Sequence, residues 1–278
     1  MTVSNVWVRI LVGLAFIPGI VALTWAGGVY VFGFVTLVAV VGLWEFYGIV
    51  RVKTLNPVRL PGMTAICLLC VDAWQNEGQH ALPILVFFVL FSAAIEIFLT
   101  DSRSPLLNTG AGLFGVVYTG GLLSHLILLD NLDTPEYDNR GMGAVLLAFV
   151  IPWFCDTAAY FTGRFVGRHK LIPRVSAGKT VEGAIGGTVG TVLGLFALRP
   201  VLFPFLSPSE CLLLGTIGSV VAQTGDLAES VLKRDAGIKD SSHIIPGHGG
   251  VLDRFDSVLF VAPCVYYYLT EFAVRVSL

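Results

Sequence analysis

Apolar stretches long enough to cross a bilayer recur along the whole chain, near residues 7–25, 29–50, 83–100, 109–129, 143–164, 181–199, 209–232 and 257–276. A bilayer core needs about 20 apolar residues of helix. A ninth stretch, 59–74, is shorter and begins at the Pro61-Gly62 pair. Composition agrees with this pattern. Of 278 residues, 55% are hydrophobic and 13% charged, with a mean hydropathy of +0.80, whereas a soluble domain carries charge at about a quarter of its positions. The same numbers exclude a disordered chain, which needs low hydrophobicity and high charge. The expected fold class is an all-α polytopic membrane protein. The first stretch is read as a membrane helix: its apolar run outlasts a signal core, and no small-residue cleavage site follows it.

Nine helices with a cytoplasmic N-terminus make a sharp prediction about charge. That layout places Arg9, Arg51, Lys53, Arg59, Arg103, Arg164, Arg168, Lys170, Arg174, Lys179, Lys233, Arg234, Lys239 and Arg254 on the cytoplasmic side. Only Arg140, Arg199 and Arg275 fall on the other. The bias of Lys and Arg toward the cytoplasm sets orientation. Dropping the short third helix would put the basic stretches 51–59 and 164–179 on opposite faces, so the charges favour nine.

Net charge is −2, so no global field points to nucleic acid, and an anionic ligand must be held by a local cluster. The five cysteines lie in apolar segments and read as core residues. Up to about residue 150 the chain is almost featureless hydrophobic helix; beyond it polar residues enter the membrane segments. We therefore expect N-terminal scaffold helices over 1–80, middle helices with an oligomer contact over 81–142, and a catalytic region over 143–278 with cytoplasmic loops at 164–181 and 232–257.

Two stretches, 153–183 and 223–257, hold most of the unusual residues. On a helix, Asp226, Glu229, Ser230 and Lys233 share one face. That face cannot point at lipid, because an ionisable group at membrane depth is costly and marks a protein or water cavity. A glycine-rich segment follows, IPGHGG at 245–250, and then Asp253, Arg254 and Asp256. Gly247, Gly249 and Gly250 allow close approach of backbone N–H groups to an anion. Asp226 and Asp253 have the chemistry to hold Mg²⁺, which takes hard oxygen ligands together with substrate phosphates. Lys233, Arg234, Lys239, His248 and Arg254 have the charge to neutralise phosphate.

In the earlier stretch Asp156, Tyr160 and Arg164 share a helix face with Gly163. Ser176, Gly178, Lys179, Thr180 and Glu182 are expected to open the next helix, where free N–H groups and the helix dipole favour an anion. Gly178-Lys179-Thr180 is not a P-loop, since Pro173 stands where the leading glycine should be. Gly183 and Gly187, and the series Gly186, Gly190, Gly194, have the spacing of close helix packing. Glu45, Glu96 and Glu271 are isolated acids, expected to bond a neighbouring helix or sit near an interface.

The string SVLKRDAGIKDSSHIIPGHGGVLDRFD (230–256) closely resembles the signature of the phosphatidate cytidylyltransferases. GDLAES at 225–230, D-T-x-A-Y-x-x-G-R at 156–164 and S-x-x-K-T-x-E-G at 176–183 also look like that family. One departure is visible: Ala177 stands where the family usually has proline. The resemblance implies a multi-pass enzyme of the cell membrane, facing the cytoplasm, that joins CTP and phosphatidic acid into CDP-diacylglycerol and pyrophosphate. It implies Mg²⁺, leaves open a monovalent cation such as K⁺, and implies a homodimer. Carried over, the metal aspartates fall on Asp226 and Asp253, with Lys233 and Arg254 beside them in the reaction. Phosphate would be met by Arg164, Ser176, Lys179, Thr180, Arg234, Lys239, His248 and Gly249, with Asp156, Glu182 and Glu229 behind. A transferase acting on an isoprenoid or ether lipid remains an alternative; a transporter is disfavoured because the ionisable residues crowd one end.

Overall fold

The computed structural model describes residues 16–99, 102–132, 140–245 and 249–272. Among these, six helices are long and apolar enough to cross a membrane: Val29–Val52, Ala81–Phe98, Pro105–Asp130, Gly141–Phe165, Val181–Leu202 and Pro208–Asp235. They coincide with six of the expected stretches, so the chain is a mostly helical polytopic membrane protein. Within the described residues the remaining three expected helices are shorter. They appear as α1 (Phe16–Ala26), α3 (Arg59–Gln75) and α10 (Leu252–Tyr267), the last continued by a π-helical turn, Tyr268–Phe272. Residues 7–15 and 273–276 of the first and last stretches lie outside the described residues.

The chain forms two compact units. The first comprises residues 1–131 and 235–255. Its core is built by α2 (Val29–Val52), α3, α4 (Ala81–Phe98), α5 (Pro105–Gly115) and α6 (Leu122–Asp130), with a π-helical segment, Val116–Gly121, joining the last two. Phe46, Tyr47 and Leu43 of α2 are fully buried with Ile66 of α3 and Leu123, Leu126 and Ile127 of α6. The Phe46 ring packs on Phe114 and Tyr118, at centroid separations of 5.5 and 6.3 Å. Small residues make this possible. A Cβ at Gly115 would stand 2.7 Å from the Phe46 ring, and one at Gly120 would stand 2.6 Å from Ile66.

The second unit comprises residues 132–234 and 256–278. It contains α7 (Arg140–Phe165), a two-stranded antiparallel hairpin of β1 (Lys170–Ile172) and β2 (Ser176–Thr180), α8 (Val181–Leu202) and α9 (Pro208–Asp235). The sequence reading took Ser176–Thr180 as the opening of the helix; it is strand, and α8 starts one residue later. Thr180 caps that helix, its Oγ1 accepting from Gly183 N at 3.1 Å. A capping box starts α9: Ser207 Oγ accepts from Glu210 N at 3.3 Å while Glu210 Oε2 accepts from Ser207 N at 2.7 Å.

The glycine series on α8 serves packing, as expected. Added Cβ atoms would stand 3.0 Å from Ala159 O at Gly183 and 3.0 Å from Cys155 O at Gly187. At Gly186, Gly190 and Gly194 they would collide with Thr162, Ala158 and Phe154. Every one of these partners lies on α7, so the stripe lets the two backbones close together. Helix α9 joins them through Gly215 against Val192 of α8 and Gly218 against Ile151 of α7.

Candidate active site

The close approach of α7 and α8 leaves room at the end where the hairpin connects them. A cavity of about 540 Å³ opens there, lined by Asp156, Tyr160, Gly163 and Arg164 of α7, Ser176, Lys179 and Thr180 of β2, Ala184 of α8, and Gln223 and Asp226 of α9. Residues from both motif stretches thus meet at one place. Lys179 Nζ is 2.7 Å from Asp226 Oδ2, each side chain about a quarter exposed. Ser230 Oγ donates to Asp226 Oδ1 at 3.3 Å from one helical turn on. On the α7 wall Arg164 Nη1 donates to the Tyr160 hydroxyl at 2.7 Å.

The hairpin that carries Lys179 is itself pinned. Lys170 Nζ donates to Ala177 O at 2.8 Å, and Glu182 accepts from Arg168 N at 3.0 Å and from the His169 ring Nδ1 at 2.6 Å. Glu182 therefore does not face the cavity; it ties the α7–β1 turn to the first turn of α8. Ala177, where the family pattern has proline, lies within β2 and keeps its carbonyl occupied by Lys170.

Further along α9, Lys233 Nζ is 2.6 Å from Glu229 Oε2, one turn apart and both buried. The predicted common face of Asp226, Glu229, Ser230 and Lys233 exists, but it divides in use. Asp226 reaches the cavity, while Glu229 and Lys233 neutralise each other inside the protein. Arg234 is exposed. Asp256 of α10 has Asp226, Asp156 and Lys233 as electrostatic neighbours. It was noted in the sequence but not placed among the site residues.

In the first unit Ser241, Ser242, Gly250, Val251 and Leu252 donate to two carboxylates. Asp253 Oδ2 accepts from Ser241 N at 2.9 Å, Ser241 Oγ at 2.9 Å and Gly250 N at 2.8 Å. Glu45 of α2, only 1% exposed, accepts from Ser242 Oγ at 2.6 Å, Leu252 N at 2.7 Å, Val251 N at 2.9 Å and Ser241 Oγ at 3.1 Å. Gly249 has φ +82°, and a Cβ at Gly250 would stand 2.6 Å from both Glu45 carboxylate oxygens. Both glycines are thus required by shape. Lys239 and Arg254 are exposed. His248 and Gly247 lie outside the described residues.

Sequence reasoning missed two things here. Gln223 sits three residues before Asp226, so helix periodicity alone could have placed it on the cavity face. Glu45 carried a signal, the cost of an acid in an apolar helix, but nothing local named its partners some 200 residues away.

Among the described residues no cluster of three or more His, Cys, Asp or Glu side chains is poised to cage a metal. The donor set nonetheless fits Mg²⁺, which binds through one or two carboxylates and fills its shell with water and substrate phosphates. Zinc-like chemistry, with its closed set of nitrogen and sulfur ligands, has no counterpart in the residues lining the cavity.

Residues 7–272 match the model of the cytidylyltransferase family. A Bacillus subtilis protein named phosphatidate cytidylyltransferase is 35% identical over 252 residues, covering 86% of this chain and 90% of its own length. Proteins of the same name from Staphylococcus saprophyticus and Synechocystis are 34% and 33% identical, each alignment covering 85% or more of this chain and 88% or more of theirs.

Proposed function

The chain belongs to the cytidylyltransferase family, and on that premise we propose that the cavity lined by α7, β2, α8 and α9 is where it transfers the cytidylyl group of CTP to phosphatidic acid, giving CDP-diacylglycerol and pyrophosphate. The observation that carries the assignment to this cavity is the Lys179–Asp226 ion pair, a cation and a carboxylate held 2.7 Å apart beside Arg164, Ser176 and Thr180. A triphosphate needs cations to neutralise it and a carboxylate to hold its metal; both are present at one wall.

In the reaction a phosphate oxygen of phosphatidic acid forms a bond to the α-phosphorus of CTP while the bond to the pyrophosphate oxygen breaks. A lipid phosphomonoester is already largely ionised near pH 7, its second pKa being about 6, so no strong general base is required. Catalysis then rests on positioning and charge. Lys179 and Arg164 hold phosphate oxygens, and the hydroxyls of Ser176 and Thr180 orient them. Arg254 adds positive charge in the same signature, joined by Arg234, Lys239, His248 and Gly249 as its phosphate-binding residues, while Lys233 acts through its ion pair with Glu229 on α9. Asp226 and Asp253 are the residues that would hold Mg²⁺, with Asp156 and Glu229 supporting. Mg²⁺, when bound, supplies neutralisation of the triphosphate charge. K⁺ is the second cation of this proposal.

The finer membrane layout belongs to the same proposal: nine helices, N-terminus and site in the cytoplasm, supported by the 14-to-3 distribution of Lys and Arg set out above. A homodimer is proposed as well, with α4 as its contact, since only 17% of that apolar span is buried within the chain. Crosslinking of cysteines placed on α4 tests this directly.

The deciding experiment is pyrophosphate release by detergent-solubilised protein given CTP, phosphatidic acid and Mg²⁺, each omitted in turn, with ATP and GTP as controls and K⁺ exchanged for Na⁺. Release that requires CTP, lipid and Mg²⁺ together is expected. Release independent of Mg²⁺ would overturn the metal assignment, and release with no lipid acceptor would overturn the transfer.

A further inference from the structure

Glu45 lies far from the signature in sequence and deep in an apolar helix, yet it accepts four hydrogen bonds, all from the segment 241–252. Two come from hydroxyls and two from the backbone N–H groups of Val251 and Leu252, at the start of α10. Ser241 links this carboxylate to a second one: its hydroxyl is 3.1 Å from Glu45 Oε2 and 2.9 Å from Asp253 Oδ2. The glycine that would otherwise block the arrangement is Gly250, where any Cβ would meet Ser241 Oγ and both Glu45 oxygens.

A buried carboxylate is stable only when its lone pairs are met by donors, and here four donors meet it. Once held, it fixes the loop in return. Leu252 and Val251 set where α10 begins and so where Asp253, the next residue, stands. Ser241 donates to Asp253 through its backbone N–H, and its single hydroxyl proton is shared between Asp253 Oδ2 and Glu45 Oε2. The side chain and the backbone of Asp253 are therefore both referred to one anchor on α2.

We propose that Glu45 is a positioning residue for cytidylyl transfer: it anchors Ser241, Ser242 and the start of α10 to α2 and thereby aims the Asp253 carboxylate. This rests on the assignment of Asp253 to the reaction. Displacing a catalytic group by about 1 Å can cost about 10²-fold in rate, so loss of the anchor is expected to act on kcat while leaving the lipid KM unchanged.

The test compares Glu45→Gln, Ser242→Ala and Asp253→Asn with the unaltered full-length protein in detergent. Turnover is measured against both substrates, and amide hydrogen exchange is followed in peptides spanning 241–255. An amide in place of the carboxylate turns one acceptor oxygen into a donor facing other donors. Glu45→Gln should therefore lower kcat at least about 10-fold and speed exchange at Val251 and Leu252, with peptides of α7 and α8 exchanging as before. Ser242→Ala, which removes one donor of the four, should show both effects in weaker form and decides the matter if Glu45→Gln does not fold. Wild-type turnover with wild-type exchange in both loop variants would overturn the inference, as would lost turnover with unchanged exchange. Asp253→Asn separates the two levels. Full activity of that variant overturns the role of Asp253 and this inference with it, whereas its inactivity beside a fully active Glu45→Gln overturns this inference alone.

Discussion

Lys179 Nζ stands 2.7 Å from Asp226 Oδ2, joining a strand of the hairpin to the C-terminal third of a long membrane helix. The lysine arrives from one motif and the aspartate from another, and each leaves about a quarter of its side chain open to the cavity. An ion pair so placed contributes little to stability, about 0–1 kcal/mol for partly exposed pairs. Its position beside the cavity points to chemistry instead.

Replacing Lys179 by methionine should therefore separate activity from stability. Turnover is expected to fall by about 10²–10³-fold, the usual effect of removing one stabilising donor, while the thermal unfolding midpoint in detergent stays within a few degrees. A large drop in the midpoint with turnover preserved would show that the pair is structural.

Asp253→Asn should abolish CDP-diacylglycerol formation in protein that still inserts and folds. The asparagine can retain one acceptor oxygen toward Ser241 and Gly250, so the loop is expected to survive. Radiolabelled CTP incorporation into lipid by membranes of a strain expressing only this variant measures it, and wild-type product formation would remove Asp253 from the reaction.

The buried Glu229–Lys233 pair makes the opposite prediction. Truncating one partner leaves a buried charge without its complement, which costs about 3–5 kcal/mol. Lys233→Met alone should thus lower thermal stability strongly, and Glu229→Leu with Lys233→Met should recover much of it. If Lys233→Met unfolds normally but loses turnover, the lysine serves the substrate and not the fold.

Gly190→Leu places a side chain where α8 meets Ala158 of α7. Overpacking of a close interface costs about 1–3 kcal/mol, and the walls of the cavity belong to the same two helices. A lower unfolding midpoint together with a raised KM for CTP is expected; an unaffected midpoint would mean the helices separate without cost.

Much of the site was readable in the one-dimensional chain because its residues are anomalous there. Asp226 and Lys179 stood out as charges in or beside apolar segments, and helix periodicity put Asp226, Ser230, Glu229 and Lys233 on one face, where two bonds now link them in pairs. The glycine stripe of α8 likewise announced its packing through spacing alone. Hairpin β1–β2 was not legible: its strands are only three and five residues long, and β structure there is held by pairing and by Lys170, not by propensity.

The sequence by itself determined the all-α membrane class, six of the membrane helices and the family, because a helix that crosses lipid must be long and apolar and every charge in it is penalised. Tertiary structure alone decided which charges do which work. Four polar residues of α9 look alike in the chain, yet one opens to the cavity with Lys179 and two close on each other in the interior. Glu45 looked isolated and accepts hydrogen bonds from Ser241, Ser242 and the residues that open α10, beside Asp253. The physical reason is that a hydrogen bond or an ion pair is a matter of distance in space, and residues 45 and 252 acquire theirs only when the chain has folded.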